Sequence, residues 1–144
     1  MSEATNERPR LLVTGATGYI AGWLVKMLLE DGFTVHAAVR DTEAKDKLKH
    51  LDEVAAGSTG TIRYFTSDLL EPGSYAAAME GCELVFHTAS PFTIAVKDPQ
   101  KELIEPAVNG TRNVLEQASN TASVKRVVLT SSCAAIYTDN VEIA

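Results

Sequence analysis

The sequence has little of what would mark a secreted, membrane-spanning or nucleic-acid-binding protein. Only two of its 144 residues are cysteines, Cys82 and Cys133. They show neither metal-site nor disulfide spacing, which favours a reduced, cytoplasmic environment. No apolar run approaches the ~18 residues of a membrane span, and residues 1–8 are too polar for a secretory signal. The formal net charge of −6 argues against a nucleic-acid partner, and the three scattered histidines suggest no metal site.

What the chain does have is a regular alternation of short apolar segments with longer segments of helical periodicity, after a polar tail at residues 1–9. The strands are predicted at about 10–14, 34–40, 62–66, 84–88 and 126–130, and the helices at about 18–31, 42–56, 74–79 and 100–118. This alternation predicts an α/β protein whose parallel strands are covered by helices on both faces. Right-handed crossovers then give a doubly wound Rossmann sheet of order 3-2-1-4-5, with a ligand crevice where the order reverses.

The chain is organised around residues 11–22, which predict a buried strand, a glycine turn and the start of a helix. Gly15 permits a sharp turn at positive φ, and Gly18 leaves room for a phosphate near the backbone. The free N–H groups of the helix N-terminus complete an anion site suited to a pyrophosphate. The spacing departs from G-x-G-x-x-G, with Ala21 as the third small residue, so an ordinary turn is the alternative.

The end of the second predicted strand bears on which dinucleotide the crevice takes. An acid at this position binds the ribose 2′-OH of NAD, whereas an arginine accommodates the 2′-phosphate of NADP. Arg40 stands here, and Lys47 follows close enough to assist. The alternative is a surface arginine that pairs with Asp41 or Glu43. The sequence therefore favours NADP(H).

Several segments together resemble one branch of a known family, the dihydroflavonol reductase, cinnamoyl-CoA reductase and aldehyde reductase branch of the extended short-chain dehydrogenases/reductases. The segments are Thr-Gly-Ala-Thr-Gly-Tyr-Ile at 14–20, Val-Arg-Asp at 39–41, His-Thr-Ala-Ser-Pro at 87–91, Ala-Val-Asn-Gly-Thr-Arg-Asn-Val-Leu at 107–115 and Arg-Val-Val-Leu-Thr-Ser-Ser at 126–132. The resemblance implies an NADP(H)-dependent oxidoreductase. Its reaction would be the reduction of an aldehyde or ketone on a small organic substrate to an alcohol.

The resemblance also assigns roles to single positions. Asp68 is expected to bind the adenine amino group with help from the backbone N–H of Leu69, although an Asx turn or a helix N-cap before Pro72 is compatible with the same residues. Small residues after the fourth strand let the backbone approach the cofactor, while His87 at the strand end is predicted to be structural. The predicted cofactor-binding residues are Gly15, Thr17, Gly18, Tyr19, Ile20, Arg40, Lys47, Asp68, Leu69, Thr88, Ala89, Ser90, Thr130 and Ser131.

The expected catalytic residue is Ser132, which by resemblance polarises the substrate carbonyl; a hydroxyl-capped strand end is the alternative. In the resembling family a Tyr-x-x-x-Lys pair beyond the serine supplies the proton and binds the ribose. Here Tyr137 is followed four residues later by Val141, and Tyr19 and Tyr75 also lack the lysine.

Residues 10–144 are therefore predicted to be the N-terminal cofactor part of a longer reductase, truncated after the fifth strand, without the substrate lobe and inactive alone. A non-catalytic NADP(H)-binding module or sensor is the main alternative, although the Ser131-Ser132 dyad favours an enzyme. A sugar-nucleotide epimerase or dehydratase relative is a weaker alternative, because those proteins more often bind NAD. A homodimer through the helix near 100–118 is a further expectation.

Overall fold

The computed structural model describes residues 8–91 and 95–136. The strands are β1 (Arg10–Thr14), β2 (Thr34–Val39), β3 (Thr61–Thr66), β4 (Cys82–His87) and β5 (Arg126–Leu129). The helices are α1 (Tyr19–Glu30), α2 (Lys45–Ala56), α3 (Ala76–Met79) and α4 (Glu105–Ser119). The strands form one parallel sheet of order β3-β2-β1-β4-β5, which confirms the predicted doubly wound topology.

The central strand β1 is buried on both faces, as its continuous apolar run predicts. Successive side chains of a strand point to opposite faces of the sheet, so the adjacent β1 residues Leu12 and Val13 pack in different cores. Val13 packs with α1 and α2 residues such as Val25 and Leu51, whereas Leu12 packs on the other face in a cluster that includes Val114 of α4. The sheet is thus covered on both sides within the described residues.

Strand register brings the ends of three strands level with one another. Thr14, the last residue of β1, pairs with Ala38 of β2 and with His87 of β4. The chain therefore leaves β1 and β4 at the same edge and on either side of the point where the strand order reverses. Ligands of doubly wound sheets bind at this edge.

The helix predicted near 100–118 is divided in the structure. A π-helical segment (Gln100–Ile104) precedes α4, and the N–H of Glu105 donates to the carbonyl of Gln100, five residues back. Pro106 follows and has no N–H to donate, so it takes one of the first positions of α4. Pro106 lies at the edge of the sheet where β1 and β4 end.

Several apolar side chains of the π-helical segment, of α4 and of the edge strand β5 remain half-exposed: Ile104, Val108, Leu115, Val128 and Leu129. Exposed apolar groups of this extent are typical of association surfaces. Association through this helix remains a prediction. Across 8–91 and 95–136, none of the helices combines the length and apolar character that crossing a membrane requires.

Candidate cofactor site

A cleft of about 600 Å³ opens at the carboxyl ends of β1, β2, β3 and β4. It brings together residues that are distant in the sequence but were predicted to share one site. Those that line it are Gly15, Thr17, Gly18, Arg40, Asp68, Leu69, Thr88, Ala89 and Ser90. The wall is completed by residues that sequence reasoning did not select, among them Tyr75, Pro91 and Pro106.

The glycine turn has the geometry of an anion site. Gly15 has a φ of +64°, and a Cβ there would lie 3.0 Å from Cα of Ala89. The N–H of Gly18 donates to the carbonyl of Gly15 at 2.9 Å, which closes the turn. Gly18 is the N-cap of α1 and no side chain caps that end, so the first N–H groups of the helix remain available for an anion. The first turn carries no acidic residue that would oppose one.

Thr14 ties the turn to β4 and was missed by sequence reasoning. Its fully buried hydroxyl accepts hydrogen bonds from the backbone N–H groups of Thr88 and Ala89, each at 3.1 Å. With both lone pairs used, its proton points to Nδ1 of His87, 2.8 Å away. The Thr88 hydroxyl in turn donates to the Thr14 carbonyl. A hydroxyl residue ending an otherwise apolar strand was the available signal.

His87 is a buried partner of Thr14, which agrees with the structural role predicted for it. Because Nδ1 accepts the Thr14 proton, the ring is neutral and carries its hydrogen on Nε2. Burial also lowers the pKa of His87 below 6.5, since the charged form would lose its hydration. This histidine therefore orients backbone at the cleft and stays uncharged at neutral pH.

The buried histidines make the stability depend on pH. Burial also lowers the pKa of His36, which donates from Nδ1 to the carbonyl of Ala78 at 2.8 Å. Below pH 6.5 these two histidines bind protons in the unfolded chain but remain neutral in the folded chain, because their folded-state pKa values are lower. The free energy of unfolding therefore falls as the pH drops. For each histidine, the free energy of unfolding can fall by at most about 1.4 kcal/mol per pH unit. We expect denaturant titrations from pH 7.5 to 5 to show this loss, and His87→Asn to make the slope shallower.

His50, which is exposed on α2, supplies the matched control. The substitution His50→Asn also removes one imidazole, but an exposed one, so the effect assigned to burial is the difference in pH slope between His87→Asn and His50→Asn. An equal change of slope in both variants would contradict the assignment of the effect to burial.

Arg40 follows β2 and faces the cleft without an acidic partner. The carboxylate of Asp41 accepts the backbone N–H of Glu43 at 2.8 Å and so closes a local turn. None of the ion pairs within the described ranges involves Arg40. The alternative of a surface arginine paired with Asp41 or Glu43 is therefore not what the structure shows. Lys47 is exposed on α2 and does not line the cleft.

Asp68 forms the predicted Asx turn and also lines the cleft. Its Oδ1 accepts the backbone N–H of Leu70 at 2.8 Å, which leaves the other carboxylate oxygen for a ligand. The Ser74 hydroxyl donates to the Asp68 carbonyl at 2.7 Å and accepts its N–H at 3.1 Å. Tyr75 is buried beneath this loop, and burial, together with the charge of Asp68, raises the pKa of its phenol to about 12.

The other predicted residues lie outside the cleft lining. Tyr19 and Ile20 are exposed in the first turn of α1. The hydroxyl residues after β5 are also exposed, and the N–H of Thr130 donates to the carbonyl of His87 at 3.0 Å, which places the start of this segment beside β4. Their roles remain predictions, as does that of Lys47. Tyr137 lies outside the described residues. In the described part of the chain no cluster of His, Cys, Asp and Glu could hold a metal ion.

A parallel sheet of this order with a glycine turn at its switch point defines a dinucleotide-binding domain of the Rossmann type. The model of the 3-beta hydroxysteroid dehydrogenase/isomerase family matches residues 12–143. The chain therefore belongs to this family.

Individual relatives confirm the branch predicted from the sequence motifs. The chain is 52% identical over 124 residues to cinnamoyl-CoA reductase CAD2 of Medicago truncatula, covering 86% of this chain and 38% of the relative. It is 44% identical over 120 residues to dihydroflavonol 4-reductase of Solanum lycopersicum, covering 83% and 31%. The structure of Gre2 from Candida albicans in complex with NADPH matches with a TM-score of 0.75 and 34% identity over 89% of this chain and 38% of that one. The chain thus spans less than two fifths of the length of these relatives.

Proposed function

We propose that this chain binds NADP(H) in the cleft and is the cofactor-holding part of a reductase that converts a carbonyl group of a small organic substrate to an alcohol. One observation carries the proposal: a cationic side chain without an ion-pair partner and a free helix N-terminus face the same cleft at the switch point. Two separated anionic groups, a 2′-phosphate and a pyrophosphate, complement that pair of sites. The solved relative that contains NADPH supports the choice of cofactor.

The cleft fits the parts of this cofactor one by one. The pyrophosphate would lie over Gly18, where a side chain is absent and N–H groups of α1 are free. The guanidinium of Arg40 would bind the 2′-phosphate, and Asp68 would accept a hydrogen bond from the adenine amino group. The backbone at Thr88 and Ala89, held by Thr14, would line the path toward the nicotinamide ribose.

The chemistry requires residues beyond the cleft. When bound, NADPH supplies the hydride that reduces the carbonyl carbon. Ser132 follows β5 at the same edge of the sheet, and its hydroxyl would polarise the carbonyl oxygen. The reduced oxygen must also receive a proton, and the 144 residues contain no Tyr-x-x-x-Lys pair to provide it. The reductase names of the relatives support an enzyme over a binding module without chemistry.

We expect the 144-residue chain to bind NADPH without oxidising it at a useful rate. A positioned proton donor contributes typically ~10²–10⁴-fold to such a step, and orientation of the substrate contributes further. The measurement is the loss of NADPH absorbance in the presence of a panel of aromatic and aliphatic aldehydes. We expect NADPH to be oxidised no faster with the chain than in buffer without it. Turnover that is lost in Ser132→Ala would contradict this expectation and would imply another proton donor, with Tyr137 tested first.

A further inference from the structure

Helix α4 touches the loop after β3 at two points on one face. The side-chain amide of Asn113 donates from Nδ2 to the carbonyl of Leu69 at 2.9 Å. One turn earlier, Gly110 allows the side chain of Leu69 to lie against the helix, since a Cβ there would come within 2.3 Å of Leu69 Cγ. Residues three apart share a face of a helix, so both contacts act on the same loop residue.

The amide contact continues through one peptide unit to the carboxylate of Asp68. The Leu69 carbonyl and the Leu70 N–H belong to the same planar peptide group, so a bond that fixes one fixes the direction of the other. That N–H donates to Oδ1 of Asp68 at 2.8 Å. A donor, a peptide plane and an acceptor thus stand in series, and such hydrogen bonds polarise one another in the same direction.

The turn itself constrains this peptide only in part: the N–H of Glu71 donates to the carbonyl of Asp68 at 3.2 Å and so closes a turn around the Leu69–Leu70 peptide. That bond does not by itself fix the peptide plane, because type I and type II turns share it and differ by a flip of the central peptide. Ser74 holds the backbone of Asp68 through two hydrogen bonds, one residue before the plane in question. Asp68 is itself exposed, and within the described residues no side-chain donor contacts its carboxylate. The orientation of the free carboxylate oxygen therefore depends on the peptide unit that Asn113 holds.

We infer that Asn113 is a positioning residue for adenine recognition: by fixing the peptide between Leu69 and Leu70 it aims the Asp68 carboxylate at the 6-amino group of the cofactor. This inference rests on the proposed function. A residue that only packed α4 onto the loop would affect stability and the binding of all nucleotides alike. Asn113 should instead govern discrimination between nucleotides that differ at the 6-position of the purine.

The test compares the affinities of NADPH and of its hypoxanthine analogue, in which an oxo group replaces the 6-amino group. Fluorescence titrations are made with the full chain, with Asn113→Asp and with Asn113→Ala. The first variant keeps the shape of the side chain and removes the donor, and the second retains a short side chain in case the added charge prevents folding. Gln117→Glu and Gln117→Ala are matched controls, because Gln117 is an amide one turn further along α4 that donates to the Thr121 hydroxyl, just beyond the end of the helix, at 3.3 Å.

We expect the unsubstituted chain and both Gln117 variants to prefer NADPH by about tenfold, as expected for a hydrogen bond to a charged group. Both Asn113 variants should bind the two nucleotides within about twofold of each other. Retention of the tenfold preference in a folded Asn113 variant would overturn the inference while leaving the proposed function intact. Equal binding of both nucleotides by the unsubstituted chain would overturn it as well. Failure of the unsubstituted chain to bind either nucleotide would instead refute the proposed function.

Discussion

Gly18→Val should abolish NADPH binding while the domain stays folded. A Cβ at this position already lies 3.1 Å from the Gly15 carbonyl, and the added methyl groups would occupy the space above the free N–H groups of α1. The pyrophosphate would then lose at least two charge-assisted hydrogen bonds, each contributing about 1.5–3 kcal/mol. The expected loss of affinity is about a hundredfold or more, measured by fluorescence titration with NADPH.

Gly22→Ala is the matched control on the same helix. The nearest atom to a Cβ there is Nε2 of His50 at 3.7 Å, an ordinary contact, and alanine in a helix interior is favoured over glycine by roughly 0.5–1 kcal/mol. This variant should bind NADPH normally and unfold at a higher denaturant concentration. If Gly18→Val binds as tightly as Gly22→Ala, the glycine segment is only a turn and the nucleotide lies elsewhere.

Arg40→Ala should remove the preference for NADPH over NADH. Arg40 lines the cleft and the nearby Asp41 is engaged in its own turn, so the arginine is available to a 2′-phosphate. A charge-assisted contact of this kind is worth about 1.5–3 kcal/mol, or roughly one to two decades in affinity. The variant should lose most of that preference, whereas its affinity for NADH should change little.

Arg126→Ala controls for the loss of one positive charge. Arg126 is exposed at the start of β5, at the opposite end of that strand from the cleft, so its removal should leave the NADPH to NADH ratio unchanged. Comparable affinities of the unsubstituted chain for the two nucleotides would show that Arg40 does not select the phosphate. Lys47→Ala, tested beside it, measures whether an exposed lysine outside the cleft lining assists.

The sheet could be predicted from the sequence because each strand and helix is recognisable from the hydrophobic pattern of its own residues. Alternating short apolar strands and amphipathic helices admit few chain paths once crossovers are right-handed, and the observed order is the expected one. The turn at Gly15 was equally readable, because its positive φ demands a residue without a Cβ. For the helix near 100–118 the sequence left two outcomes open, Pro106 in the first turns or a kink at Pro106, because periodicity does not decide between them; in the structure Pro106 lies in the first positions of α4.

The sequence predicted the site residues whose type and position after a strand indicate their role. It did not predict the residues whose role depends on a contact with a distant part of the chain. Arg40 and Asp68 follow the carboxyl ends of β2 and β3. The carboxyl ends of parallel strands lie at the same edge of the sheet, so the predicted topology is sufficient to place both residues at one cleft. The contacts of Thr14 with Thr88, just after β4, and of Asn113 with the Asp68 loop join residues 74 and 44 positions apart. Such contacts become visible only when the register of the strands and the packing of α4 are known.

The NMR chemical-shift response of the backbone amides to NADPH would locate the cofactor site on the folded chain. We expect the largest changes at the cleft, with Gly18, Arg40 and Asp68 among them, and a smaller change at Arg40 with NADH. A second cavity, of about 570 Å³, lies at the other end of the sheet beside Gly81 and Ser123. Largest changes at that cavity, or no changes at all, would contradict the assignment of the cofactor site.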